Sequence, residues 1–180
     1  RLVDLAYTDA MPLRGAPPET SIKLAPNPLT EPDLKSATRH RIEFAGGMMG
    51  GMAEVTYGGN RMSAMQLMMR HRMAWAVNGV VAKGHVHKPM IALDRGKSYV
   101  LDMTNDTAWH HPIHLHGHSF RVIARDGKAT RHREWQDTVL MKPRERVEIA
   151  FVADNPGDWM FHCHVLEHQA GGMMGVIRVA

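Results

Sequence analysis

The sequence predicts an all-β fold, an antiparallel sandwich with Greek-key connections, and three observations carry the prediction. Short stretches of apolar and polar residues alternate through the second half of the chain, turn signals separate them, and 180 residues suffice for one domain with a buried core. Each element follows from its own residues.

Residues 1–37 hold six of the ten prolines, among them Pro17, Pro18, Pro26, Pro28 and Pro32, with little apolar periodicity. They read as an extended segment that wraps or connects. Arg39 to Phe44 is the first plausible strand, closed by Gly46-Gly47. Between Met48 and Met73 lie eight of the fifteen methionines. The first three, Met48, Met49 and Met52, stand in a glycine-rich stretch. The rest fit a short helix with Met62, Met65 and Met69 on one face. Such a face suits packing, because Met fills irregular gaps, or a thioether surface that collects Cu(I).

Met73 to Val77 precedes an Asn78-Gly79 turn. Tyr99, Leu101 and Met103 alternate with Ser98, Val100 and Asp102, Phe120 and Val122 alternate with their neighbours, and Val147, Ile149 and Phe151 alternate with Arg146, Glu148 and Ala150. Strands over Trp135 to Met141 and Trp159 to Cys163 complete the set, with turns at Asp126-Gly127, Lys142-Pro143 and Asn155-Pro156-Gly157.

Composition excludes some classes. A net charge of +4 on scattered residues does not make a nucleic-acid surface, and no apolar run reaches membrane-spanning length. Thirteen histidines and fifteen methionines are the anomaly. The single cysteine forms no internal disulfide and is better explained as a ligand. No leader follows Arg1, so any targeting signal is expected upstream or removed.

The chemistry concentrates in His162-Cys163-His164-Val165-Leu166-Glu167-His168-Gln169-Ala170-Gly171-Gly172-Met173. A thiolate, an imidazole five residues on and a thioether ten residues on form the soft set that suits copper with a long axial Met. One more imidazole must come from elsewhere. Along a strand successive side chains alternate, so His162 and His164 point one way and Cys163 the other. Two metal sites would then share one strand, with a short covalent path from the Cys163 sulfur to both imidazoles.

A second motif, His110-His111-Pro112-Ile113-His114-Leu115-His116-Gly117-His118, supplies partners. His114 and His116 share a face and match His162 and His164, whereas His111 has the parity to turn toward Cys163. Parity leaves His118 open as well.

These two motifs resemble the copper signatures in the C-terminal domain of the multicopper oxidases. Trp135-Gln136-Asp137-Thr138-Val139 and Pro156-Gly157-Asp158-Trp159 are similar to that family too, and the resemblance spans residues 73–180. Gly171 to Met174 and the Met-rich stretch are most similar to bacterial cuprous oxidases and laccases. The resemblance implies a cupredoxin-like Greek-key β-sandwich over residues 38–180, with a Met-rich insertion at about 46–73 containing a short helix, and residues 1–37 as an interdomain linker.

It further implies that His111, Cys163, His168 and Met173 hold a type 1 blue copper that accepts electrons singly. His114 would bind type 2 copper, and His116, His162 and His164 the type 3 pair. Electrons would pass from Cys163 through His162 and His164 to the cluster, where dioxygen becomes water. The matching position gives His118 a structural role. The implied reductant is Cu(I), loaded through Met48, Met49 and Met52, or a phenol; the implied setting is copper tolerance in the periplasm or another exported location.

Three departures qualify this. The family's cluster takes eight histidines, half of them from an N-terminal domain, and the only other His-x-His here, His85-Val86-His87, reads as an ordinary exposed pair. The chain is therefore expected to be a C-terminal fragment or subunit, incomplete for dioxygen reduction unless an N-terminal cupredoxin domain, of the same protein or another chain, joins it. Gln169 stands where bacterial relatives often carry a proton-delivering carboxylate. Thr107 and Trp109 replace the Asp and Met of some cuprous oxidases. The competing functions are a stand-alone blue-copper electron carrier, which has no need of His114, His116, His162 and His164, and a copper buffer, which has no need of Cys163.

Overall fold

The computed structural model describes residues 11, 15–16, 19–84, 86 and 88–180. In chain order its elements begin with β1 (Thr38–Gly46), β2 (Glu54–Tyr57), β3 (Asn60–Ser63), α1 (Ala64–His71), β4 (Trp75–Val77), β5 (Val80–Val81), β6 (Ile91–Leu93) and β7 (Ser98–Asp106). They continue with β8 (His111–Leu115), β9 (Phe120–Arg125), β10 (Lys128–Ala129), β11 (Trp135–Gln136), β12 (Thr138–Met141), β13 (Arg146–Val152), β14 (Gly157–Cys163), α2 (Leu166–Ala170) and β15 (Met174–Val179).

Two sheets face each other. The larger runs β10-β9-β13-β7-β1-β4-β5-β2-β3, with β11 added on β9; the smaller runs β12-β8-β14-β15-β6. The inward residues of β7, Tyr99, Leu101 and Met103, are buried, as are Val147, Ile149 and Phe151 of β13. Phe44 of the larger sheet stacks on Phe161 of the smaller, ring centroids 5.9 Å apart, so the core sits between the layers. This is the cupredoxin-like β-sandwich expected from the sequence.

Three details differ from the expectation. The sandwich is not wholly antiparallel: β1 with β7, β6 with β15 and β2 with β5 are parallel pairs. Parallel neighbours need crossovers rather than tight turns, and residues 47–97 provide one between β1 and β7. The strand expected over Trp135 to Met141 breaks at Asp137, so that β11 pairs with β9 in one sheet and β12 with β8 in the other. The Met-rich insertion holds a hairpin, β2–β3, turned by Gly58 and Gly59 at φ 57° and 83°, conformations that only Gly adopts without penalty.

Helix α1 starts where Ser63 accepts from the Gln66 N–H and Gln66 reaches back to the Ser63 N–H, a capping box. Its buried residue is Leu67, which joins Val55, Ala76 and Val81 in a small satellite core with Met52, Met62 and Met73 against it. Met62 precedes the helix in β3, and Met65 and Met69 are exposed, so the expected Met face is not a packing face.

Residues 19–31 are exposed and irregular. From Glu31 onward the segment is tied to the domain: Glu31 pairs with Arg121, the Asp33 N–H donates to Ser98 Oγ, and Leu34 and Ala37 pack on Val100, Ile123 and Ala150. The His85-Val86-His87 pair lies outside the described residues apart from Val86.

Candidate metal centre

Strands β8 and β14 lie side by side in the smaller sheet, with Ile113 opposite Cys163 and His114 opposite His162. Alternation then does what the sequence anticipated. His111, Ile113 and Leu115 turn into the core with Phe161 and Cys163, while His114 and His116 share the other face with His162.

On the core side three donor atoms converge. Cys163 Sγ lies 3.5 Å from His111 Nδ1 and 3.6 Å from His168 Nδ1, and the two nitrogens are 3.1 Å apart. A triangle with those sides has its centre about 2 Å from each corner, the length of a bond from a transition metal to imidazole. His111 and Cys163 are fully buried. Met173 is fully buried too, its N–H donating to the His168 carbonyl and its own carbonyl accepting from the Cys163 N–H. The turn that carries His168 is thus closed by its own hydrogen bond and tied at its far end to the strand that carries Cys163.

The protonation chemistry favours a metal. Burial, with the charges of His168 and His110, brings His111 down to about 3, and burial lowers His168 as well, so both imidazoles are neutral donors near pH 7. Burial pushes the Cys163 thiol up to about 11, and a bound cation would supply the compensation that ionises it. Two neutral imidazoles, a thiol and a buried thioether fit copper as a donor set.

Behind His111 stands a hydrogen-bonded loop. With Nδ1 turned to Cys163, the His111 Nε2–H donates to Thr107 Oγ1 at 2.8 Å, and the Thr107 hydroxyl donates to Asn105 Oδ1 at 2.7 Å. Asn105 Nδ2 donates to the carbonyls of Trp109 and Lys142. Asn105 and Thr107 are fully buried. Trp75 of β4 covers the pair of imidazoles. The sequence singled out neither Asn105 nor Trp75 as part of a site; the only local signal is a polar Asn-Asp-Thr run ahead of the two histidines.

The opposite face is open. His116 Nε2 and His162 Nε2 approach to 3.0 Å, and the ring centroids of His114 lie 4.6 Å from His116, 5.7 Å from His162 and 5.8 Å from His164. His114 Nδ1–H donates to the Asp137 carbonyl at 2.8 Å and His162 Nδ1–H to the Cys163 carbonyl at 2.9 Å, so that Nε2 is the coordinating position of each ring, that of His162 lying against His116 Nε2. Burial and neighbouring imidazoles lower His116 and His162. His118 is elsewhere, buried between Phe151 and Trp159. Gly117 beside it is at φ 72°, and a Cβ there would meet the Trp159 ring at 2.4 Å.

Met48 and Met49 are exposed, whereas Met52 packs into the satellite core. Their loop is held near the candidate centre. The Gly51 N–H donates to the Asp106 carbonyl, Arg144 donates to the Met49 carbonyl, and Gly47 abuts Trp75 and Trp109.

The family model described as multicopper oxidase matches residues 57–180. The chain belongs to the multicopper oxidase family. Members are copper-dependent oxidoreductases, and the cupredoxin-type sandwich is their kind of domain. Among similar proteins, a multicopper oxidase of Mycobacterium tuberculosis is 37% identical over 99 residues, which are 55% of this chain and 18% of that protein. One from Staphylococcus aureus is 44% identical over 71 residues, 38% of this chain and 16% of that protein. The crystal structure of a multicopper oxidase from Pseudomonas thermotolerans matches with a TM-score of 0.66 and 30% identity, over 87% of this chain and 33% of that one. The chain thus spans under a fifth of these curated relatives and a third of that solved structure. Among the described residues no helix is long and apolar enough to cross a membrane.

Proposed function

We propose that this chain is the C-terminal cupredoxin domain of a multicopper oxidase. In this reading His111, Cys163, His168 and Met173 hold a type 1 copper, His114 a type 2 copper, and His116, His162 and His164 half of the ligands of a type 3 pair. The observation that carries the reading is the convergence of Cys163 Sγ with two imidazole nitrogens on one face of β14, back to back with an imidazole face on the other. Bound copper would supply one-electron redox chemistry at the first site and dioxygen reduction at the second. The chain's own part is to keep His111 and His168 neutral, exclude water from the thiolate, and link the faces through the peptide joining Cys163 to His162 and His164.

The remaining imidazoles of the cluster come from another cupredoxin unit of the same protein or another chain, with residues 1–37 as the connecting segment. The much greater length of the relatives supports this. The reductant is Cu(I) or a phenol. The exposed Met48 and Met49, on a loop whose Gly47 abuts Trp109, favour delivery of soft Cu(I), with Met52 fixing their loop; Thr107 and Trp109, which offer no carboxylate or thioether there, favour an organic reductant. Copper tolerance in the periplasm or another exported compartment is the setting that fits a Cu(I) substrate.

Copper reconstitution tests the reading. The loaded chain must show an intense thiolate-to-copper band in the visible and a blue-copper electron paramagnetic resonance spectrum, and dioxygen uptake must appear only with the complementary unit. A colourless loaded chain sinks the thiolate assignment. A blue chain that gains no further copper in the intact protein is an electron carrier instead. In the intact protein, replacing Met48, Met49 and Met52 with Leu lowers Cu(I) oxidation and spares phenol oxidation; equal loss of both removes the Met loop from the reading.

A further inference from the structure

We infer that Trp75 is a positioning residue for the thiolate site, locking the two imidazoles in place and keeping water from them. The inference rests on the reading of His111, Cys163 and His168 as copper ligands. The indole is buried, its centroid 4.4 Å from that of His168 and 5.1 Å from that of His111, where no other described ring packs on both.

The surrounding backbone is shaped to this ring. A Cβ on Gly47 would come within 2.6 Å of Trp75 Cη2, and one on Gly171 within 2.8 Å of Trp75 Cδ1, so two glycines on separate loops leave the space it fills. The N–H groups of Ala74 and Trp75 both donate to the Gly171 carbonyl at 3.1 Å. Trp75 therefore fixes the turn after His168 through its backbone and the His168 ring through its side chain. Through Gly47 it also sets the root of the Met48–Met52 loop.

Two consequences follow from physical chemistry. Ligand orientation held by outer contacts is worth about 10- to 100-fold in metal affinity. Excluding water disfavours the more highly charged oxidised site, so the indole raises the reduction potential.

The test compares the wild-type chain with Trp75→Leu and Trp75→Phe. Affinity is read by competing Cu(I) against a chelator of known strength, the potential by redox titration of the visible band, and folding of the metal-free chains by circular dichroism. Trp75→Leu is expected to weaken Cu(I) binding about tenfold or more, lower the potential and alter the copper hyperfine pattern, with Trp75→Phe between it and wild type. A folded Trp75→Leu chain that matches wild type in affinity and potential overturns the inference. Should Trp75→Leu not fold, Trp75→Phe decides, and its equality with wild type overturns the inference. A wild-type chain that binds copper with no thiolate band overturns the ligand reading itself, a separate failure.

Discussion

The two faces of β14 differ in how much of a site each completes. On the Cys163 face His111 and Cys163 are buried and His168 half-buried, and the three converge on one point backed by Thr107, Asn105 and Trp75. On the His162 face four imidazoles gather, His164 is exposed, and only His116 and His162 bring their ring nitrogens into contact. A closed site can hold a metal with what one domain offers. An open one, where His114 Nε2 has no hydrogen-bond partner among the described residues, is shaped for ligands arriving from outside it.

The largest effect that would break this contrast is loss of the thiolate. Cys163→Ser is expected to abolish the visible band of the copper-loaded chain while the far-ultraviolet circular dichroism stays that of the folded sandwich. Persistence of the band would place the blue site elsewhere.

Next in size is Asn105, a fully buried residue near the end of β7 whose side chain makes four hydrogen bonds, two through its amide nitrogen and two through its oxygen. Asn105→Ala is expected to destabilise the chain by about 2–4 kcal/mol in urea unfolding, since buried partners are left unpaired. Thr107→Val is smaller in scale. It keeps the shape of the side chain but leaves the His111 Nε2–H and the Trp109 N–H without their acceptor, costing about 1–3 kcal/mol and about 10- to 100-fold in copper affinity. Thr107→Ser, which keeps the hydroxyl, should recover the affinity.

The closed face was legible in the sequence and its support was not. Ligand type and parity are local properties, so Cys163 and His168 follow from spacing; alternation offered His111 and His118 alike, and the family resemblance chose His111. Trp75 and Asn105 act across 93 and 6 residues of chain from His168 and His111, through packing and buried bonds that no period announces. The sandwich was legible in its alternating strands, but the parallel pairs were not, because long crossovers carry no turn signal. Gly58-Gly59, a hairpin signal inside the Met-rich stretch, was overshadowed by the methionines around it.

Acid provides a control common to both faces. Asp102, on the outer side of the larger sheet, is held below the usual carboxylate range by its two bonds from Arg146, at 2.6 and 2.8 Å, against a smaller opposing effect of burial. A lowered carboxylate stabilises the fold when ionised. Its contribution is present above pH about 4 and is lost as pH falls through the folded value. At the scale of a partly exposed pair this is about 0.5–1 kcal/mol. Asp102→Asn should therefore lower stability at pH 7 and flatten its decline below pH 4, leaving the visible band unchanged.

The smallest expected effect is the sharpest test of the comparison. His116 meets His162 on the open face and has no bond to the closed one. If the open face awaits outside ligands, removing one of its imidazoles costs the isolated chain little: His116→Ala should change stability by no more than about 0.5 kcal/mol, the usual range for surface substitutions. The visible band and potential of the copper-loaded chain should stay as they are, because Cys163, His111 and His168 are untouched. Dioxygen uptake by the intact oxidase should nevertheless fall severely. A His116→Ala chain that loses its blue band would show that the faces are one cooperative unit and that the half-built cluster already shapes the thiolate site.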